Sequence, residues 1–563
     1  MFDKKVSNLL NSPTITTENL FIKEGLKTSN ETLSGNGALK YSTSGNDFVD
    51  NFSAISTFKN PRTYNEVSLD MFKLWNQDPT LCLKLAVYIR MITRASKVVN
   101  SEYSETLEVQ RGQGLKHEGI MRMLWLAVNQ PNTFKENIHL LIAAGSWNDV
   151  FKMLNLDLQY HGWNNKKLDW NFFLNVIRAG IINPATTNLV RKYLPTIRTN
   201  KKATTLESAS DTLIGRWLAR KLFSGFEKIQ ALKTYRKLKS SGTAHTWQQA
   251  ISKQLYDQIN FDTIAGRALQ LLANSKFLEN HNLVEAYTKW IEAQPLVKFT
   301  GYVFELFNPL GRIVEKVPLY QKHTINAQFK QLVETGKQNI STTSKLLVVR
   351  DVSGSMLAQA TGCKVSSYVI AKAMALYFSE FLTGAFANSY AQFSRTCTLL
   401  KWVGDTPVDK YINDTHFEVG NTNFQSIIDL FIQLKRKGVP ESDFPEGILC
   451  ISDGEFDRLE DNTVTNFNCA LKKLREAGFS DAYVDNFKII LWDIPNGYYN
   501  KVGVAFEDFA DSPNFFYLSG YDPSVISFIL GTPQEGKSVP KNAQELFESA
   551  MNQTLLNMLT IIQ

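Results

Sequence analysis

Val349-Arg350-Asp351-Val352-Ser353-Gly354-Ser355-Met356 is the stretch on which the reading of this chain turns. It leaves the apolar run Lys345–Val349 and passes through a loop into the helical pattern Ser366–Leu382. Further apolar runs at Ala391–Phe393, Thr398–Trp402, Gly447–Ile451, Phe487–Trp492 and Phe515–Leu518 alternate with helical stretches at Asn423–Arg436, Val464–Glu476 and Pro523–Leu530. That alternation predicts a doubly wound α/β unit, a mainly parallel sheet covered on both faces, with ligands beyond the carboxyl ends of its strands. Asp351 stands at such an end. With Ser353 and Ser355 it offers one carboxylate and two hydroxyls around a tight loop, hard oxygen donors suited to Mg²⁺ or another divalent cation that keeps some of its water. Two other loops complete the set. Gly420-Asn421-Thr422-Asn423 opens a helix and offers the Thr422 hydroxyl; Ser452-Asp453-Gly454 follows the run Gly447–Ile451 and offers a second carboxylate. The same letters also fit an Asp-Ser-Gly turn without an ion, or an ion held only for structure.

Upstream the grammar differs. From about Val67 to Ser275, apolar residues recur at three- and four-residue steps, as in Leu69–Asn76, Pro79–Arg94, Gly119–Asn129, Phe134–Gly145 and Trp147–Leu154. Breaks fall at Asp78-Pro79, Gln130-Pro131 and Gly145-Ser146. Short helices with short connections predict a HEAT-like helical-repeat solenoid or ring, each pair burying its apolar face on the next. Residues 1–66, rich in Ser, Thr and Asn, read as an extended arm with an ordered piece at Lys40–Phe52, and Asn542–Ile561 as an amphipathic tail that packs back on the body.

Length and composition bound the function. At 563 residues the chain exceeds a single core, and 44% hydrophobic with 20% charged residues excludes disordered, collagenous and disulfide-scaffold classes. No apolar window is long enough for a membrane span, and the first residues lack the apolar core of a secretory signal. Five scattered cysteines without a CxxC read as reduced thiols, which points to a cytoplasmic protein. The net charge of +7 hides an asymmetry: residues 1–340 carry +15 and residues 341–563 carry −8. A basic front half attracts polyanions, of which nucleic acid is the commonest.

The set Asp351, Ser353, Ser355, Thr422 and Asp453 resembles the metal-ion-dependent adhesion site of von Willebrand factor A domains, whose ion keeps a position open for a partner's carboxylate or another acceptor. A helical-repeat domain followed by such a domain is similar to the Ro autoantigen (TROVE) family, in which the repeats form a ring closed by the A domain. Tyr41–Asn46 (YSTSGN), Arg111–His117 (RGQGLKH), Gly145–Asp149 (GSWND), Gly420–Gln425 (GNTNFQ) and Ser452–Asp457 (SDGEFD) look closest to an uncharacterised TROVE-related branch. The resemblance runs from about Lys40 to Leu530. It implies an arm at 1–66, a TROVE-like helical-repeat domain at 67–340 and an A-like domain with a C-terminal helix at 341–563. It also implies a ribonucleoprotein that binds non-coding RNA, structured on the basic outer surface or single-stranded through the ring.

The residues name where RNA would lie. Arg191–Lys239 holds 13 Lys and Arg against three acidic residues. Within it Lys201, Lys202, Arg216, Arg220, Lys221, Arg236 and Lys237 make a candidate phosphate track, with Arg216 and Arg220 one helical turn apart. Tyr193, Trp217, Tyr235 and Trp247 are interleaved as candidate stacking platforms. Arg111, Lys116 and His117 form a second candidate, since the glycines between them would let amides approach a phosphate. For each of these residues a solvated helix face, a core position or a surface turn is the plain alternative.

Other signals are weaker. Gly531–Ser538 fits G-x-x-x-x-G-K-S, yet a phosphate loop must leave a strand and open a helix, and here Pro540 falls in the helix's first turn. The seven histidines show no zinc spacing, no nucleophile elbow is present, and no enzymatic activity is expected. The rival function is a metal-dependent protein-interaction scaffold, in which the open metal position captures a partner protein's carboxylate. A third reading, an ion that activates water, would require turnover lost with Asp351. Oligomeric state is not encoded in these patterns.

Overall fold

The computed structural model describes residues 25, 28–53, 62–99, 105–199, 202–242, 246–299, 301–310, 317–337, 345–361, 363–415, 418, 420–461, 463–494, 496, 506–523, 526, 529 and 540–562, without the side chains of 94–99 and 105–109. The chain opens with a hairpin, β1 (Glu31–Leu33) and β2 (Leu39–Tyr41), then α1 (Asp47–Ser53). α2 (Tyr64–Gln77) starts at Thr63, whose hydroxyl and Glu66 form a capping box, inside the segment expected to be an arm. Asp78 then ends α2 and caps α3 (Pro79–Arg90), with Pro79 at the first helical position. Successive helices follow: α4 (Lys116–Asn129), α5 (Pro131–Ala144), α6 (Trp147–His161), α7 (Trp170–Ile182), α8 (Thr187–Tyr193), α9 (Leu206–Leu222) and α10 (Lys228–Ser241). Shorter helices lead to α11 (Val303–Phe307) and α12 (Leu319–Lys337). Neighbours pack in overlapping pairs, α3 on α4, α4 on α5 and α6, α9 on α10.

The sequence reading did not anticipate strands inside the helical half. Helix Pro79–Arg94 ends at Arg90, because Met91 turns extended and the chain enters an antiparallel ribbon, β3 (Ile92–Val99) and β4 (Glu105–Gln113). The β-branched pairs at the two ends of β3, Ile92-Thr93 and Val98-Val99, favour a strand there.

The second half is a six-stranded mixed sheet flanked by helices. It contains β5 (Leu346–Asp351), β6 (Ser389–Phe393), β7 (Cys397–Lys401), β8 (Gly447–Ser452), β9 (Lys488–Asp493) and β10 (Phe515–Ser519). The spatial order is β10-β9-β8-β5-β6-β7, parallel except for β7. The chain goes out from β5 through β6 to β7 and returns on the other side of β5 with β8. The switch point therefore lies between β5 and β8, where an open sheet leaves a crevice.

Alternation along β5 sets what each face holds. Leu347 and Val349 join the core under α15 (Gln425–Arg436) and α16 (Asn466–Glu476). Leu346, Val348 and Arg350 face α13 (Ser367–Ser379). Arg350 is fully buried and grips Asp414 with both terminal nitrogens; Gln392 accepts from it at 3.1 Å and Tyr390 donates to Asp414 at 2.8 Å. Burial pushes the Asp414 carboxyl up, but the Arg350 guanidinium outweighs it and holds the group below its usual range. Burial lowers the neighbouring Lys372 ammonium to about 8. Asp414→Ala leaves a buried guanidinium unpaired, so a loss of about 3–5 kcal/mol is expected in urea unfolding.

The two halves share one core. A continuous apolar cluster runs from Phe48 through α3, α4 and α11 to α13 and on to Leu559. α11 packs on α13, and α12 packs on α14 (Pro407–Asn413), so the helical series both begins and ends on the α/β half. Each terminus also crosses over. The β1–β2 hairpin lies on the α/β half. α17 (Ala543–Met551) and α18 (Thr554–Asn557) pack on α3, and the last residues bond to α5, with Asn137 Nδ2 donating to the Thr560 carbonyl at 2.7 Å.

Candidate metal centre and basic helical face

β5 and β8 pair in parallel with Arg350 opposite Ile451, so the carboxylates that end them emerge side by side. Asp351, Ser353, Thr422 and Asp453 are at most 1% exposed and Ser355 is 9% exposed. Asp351 accepts from the Ser353 amide at 2.7 Å and from the Ser452 hydroxyl at 2.6 Å. The Ser353 and Ser355 hydroxyl oxygens lie 3.1 Å apart. The Thr422 loop is drawn in by the Gly354 amide, which donates to the Gly420 carbonyl at 3.2 Å.

Two carboxylates buried at one crevice repel each other. Burial, then Asp453, pushes Asp351 up to about 7, against the hydrogen bonds of Ser452 and Ser353. A cation between the loops would offset that repulsion. The donors are carboxylate and hydroxyl oxygens, which suit a hard ion; among the described residues no three His, Cys, Asp or Glu side chains gather to hold a metal ion, so hydroxyls would have to supply the rest of the set. The five residues read from the sequence thus gather at one place.

Partners that sequence reasoning missed complete the site. Asn496 donates to Asp453 at 2.6 Å and to the Ser355 carbonyl at 3.0 Å, joining two of the loops. It stands past the end of β9, the next strand along, and position at a strand end was its only signal. Asp457 and Thr422 are joined by two hydrogen bonds: the Asp457 amide donates to the Thr422 carbonyl at 2.9 Å, and the Thr422 amide donates to the Asp457 carboxylate oxygen Oδ1 at 3.2 Å. Lys40, from the N-terminal hairpin, is 2% exposed and donates to the Gly454 carbonyl.

The Lys40 ammonium also faces Glu507. Burial pushes Glu507 up to about 7 from 4.5, against the pull of Lys40 and of the Phe467 and Asn466 amides at the start of α16; Asp508 repels it. Tyr517 and Cys450 are the other titratable groups facing it. A carboxyl raised in the folded state stabilises the fold fully below its unfolded value and loses that contribution as pH rises through 7. Glu507→Gln is therefore expected to flatten the decline of Tm from pH 4.5 to about 7.

On the helical half, Lys202, Arg216, Arg220, Lys221, Arg236 and Lys237 are all exposed. Ion pairs in this region involve other residues, Lys152 with Glu207 and Arg198 with Asp211, so among the described residues none of the six is tied to a carboxylate. α9 and α10 pack against each other, and each turns its cations away from its buried positions, Ile214 and Leu218 on α9 and Ala231 and Tyr235 on α10. Lys201 lies outside the described residues, as do Gly531–Ser538 and most of Pro523–Leu530.

The Arg111–His117 expectation needs correction. Arg111 is in β4, buried where the halves meet, near Tyr88, Tyr377 and Asp522; its backbone pairs with the Gln553 side chain at 2.7 and 2.9 Å. Gly112 is small because its strand touches α3: a Cβ there would sit 2.5 Å from the Met91 carbonyl. Lys116 and His117 begin α4 half-buried, with the His117 ring 3.3 Å from the Arg62 carbonyl. The stacking platforms are likewise core residues. Trp217 packs edge-on to Trp170 at 4.8 Å, Tyr235 is fully buried with its hydroxyl on the Pro195 carbonyl, and Tyr193 and Trp247 are half-buried. Within the basic stretch, an aromatic that the sequence reading passed over is exposed: Phe226, in the turn between α9 and α10.

Among the described residues no helix is long and apolar enough to cross a membrane. No curated protein matches this chain. Among solved structures, the Ro (RSR) protein of Deinococcus radiodurans is similar over 86% of this chain and 98% of its own, at 11% identity and a TM-score of 0.40, a distant likeness. Residues 345–558, the α/β half with its C-terminal helices, match the family model described as a domain of unknown function, DUF7788.

Proposed function

We propose that this protein binds RNA, of the non-coding class, on the cationic face of α9 and α10, and holds Mg²⁺ or a similar divalent cation at Asp351, Ser353, Ser355, Thr422 and Asp453. One observation carries the RNA reading: six exposed Lys and Arg side chains on and beside two packed helices, none of them in an ion pair among the described residues. Cations left unneutralised on one part of a surface release the counterions of a phosphate backbone when they bind it. Phe226, exposed among them between Lys221 and Lys228, supplies a ring on which an unpaired base can stack. The ion, once bound, would neutralise the two buried carboxylates and present an open coordination position to an oxygen ligand.

Electrophoretic shift of the full chain with single-stranded and structured RNA, over a series of salt concentrations, tests this. The expected result is binding that weakens steeply with salt. Absence of any shift at low salt, together with protein capture in a pull-down that chelator abolishes and nuclease does not, would instead establish the interaction scaffold.

A further inference from the structure

The β1–β2 hairpin grips the four residues that follow Asp453, Gly454 to Asp457. The Ser34 hydroxyl donates to the Phe456 carbonyl at 2.8 Å, and the Gly35 amide donates to the Glu455 carboxylate. Asn36 Nδ2 reaches the Glu455 carbonyl at 2.6 Å and Asp457 Oδ1 at 3.4 Å. Lys40 donates to the Gly454 carbonyl and stands 5.4 Å over the Phe456 ring. Beyond it, Tyr41 and Phe506 exchange backbone bonds at 2.7 and 2.8 Å. The gripped loop has Asp453 at one end and, through Asp457, the Thr422 backbone at the other. Two of the five candidate ligands therefore take their places from a segment more than 380 residues away in sequence.

The hairpin's own turn is built for this contact. Gly37 takes a left-handed conformation (φ +85°), and the Ser34 hydroxyl accepts from the Ala38 amide at 3.0 Å, which leaves Gly35 and Asn36 pointing at Glu455. Burying a lysine ammonium is costly unless it is satisfied. A carbonyl of the Asp453 loop as its acceptor makes that cost enforce one loop position.

We infer that the hairpin Glu31–Tyr41 is a working part of the cation site and that Lys40 is a positioning residue, fixing Gly454–Asp457 and through them Asp453 and Thr422. The inference rests on the cation reading of that site. Coupling of this kind is reciprocal: a bound cation holds the hairpin down as much as the hairpin holds the site.

The test is Mn²⁺ titration of the full chain by calorimetry, for wild type, Lys40→Met, Lys40→Arg and Asn36→Ala, with the folded state of each checked by melting. Lys40→Met is expected to bind Mn²⁺ about tenfold or more weakly, as loss of a supporting contact does at metal sites, with Lys40→Arg recovering part of the affinity. In wild type, chelator should speed proteolytic cleavage of the hairpin. Equal Mn²⁺ affinity in wild type, Lys40→Met and Asn36→Ala would overturn the inference and leave the cation site standing. Wild type that takes up no Mn²⁺ would overturn the cation reading and this inference with it. Should Lys40→Met fail to fold, Asn36→Ala, which removes only an amide contact, decides the matter.

Discussion

Replacing Arg216, Arg220, Arg236 and Lys237 together by alanine is expected to cut RNA affinity at least about tenfold at physiological salt, and to flatten the dependence of log affinity on log salt by about 3. The argument is one of charge and place. All four side chains are exposed on α9 and α10, and none has a carboxylate partner, so their removal strands no buried group. The fold should therefore stay within about 1 kcal/mol of wild type in stability. Each phosphate contact contributes roughly 0.7 to the salt slope on a single strand, which sets the expected change for four of them. The same substitutions on a surface that does not meet RNA would leave slope and affinity alone. That result, from filter binding at several salt concentrations, would remove the track.

Asp351→Asn should do two things that seldom go together: abolish divalent-cation binding and stabilise the metal-free protein. Asp351 and Asp453 are both completely buried and repel each other. Asparagine keeps the shape and can still accept from Ser353 while removing one of the two charges. Relief of buried like-charge repulsion is worth on the order of 1–3 kcal/mol, visible as a higher Tm in chelator. Adding Mn²⁺ or Mg²⁺ should then raise the Tm of wild type and leave the variant unmoved, since only a ligand that binds the folded state stabilises it. An Asp351→Asn protein that melts lower in chelator would show that the carboxylate is held by favourable contacts rather than waiting for an ion.

Much of this was legible in the sequence. Alternation of short apolar runs with amphipathic stretches carried the α/β half because the five parallel strands there are buried on both faces, so most of their residues had to be apolar, whereas the edge strand β7 is largely exposed. The five candidate ligands could be picked out because they sit in loops, after β5, before α15 and after β8, where the letters report chemistry instead of packing. Asn496, Ser452 and Lys40 could not, since each acts through a partner far off in the chain and an isolated Asn, Ser or Lys carries no periodicity. The Arg111 loop misled for a related reason. Glycine between basic residues looks the same whether it admits a phosphate or a helix end, and here Met91 takes the space. The four aromatics of the basic region were drawn inward by neighbouring helices, whereas Phe226 stays exposed in the α9–α10 turn, its ring stacked on Phe223 at 6.0 Å.

The crossing of the C-terminal segment onto the first helices has a bearing on biosynthesis. Asn557 bonds to Lys84, 473 positions earlier. At roughly 5–20 residues per second of translation, the surface of α3 that α18 covers waits on the order of half a minute to a minute and a half before its cover leaves the ribosome. During that interval the nascent helical half shows an apolar seam to the cell, which makes it a client for holding chaperones. It also makes a stop codon just ahead of α18 more damaging than the loss of one short helix would suggest.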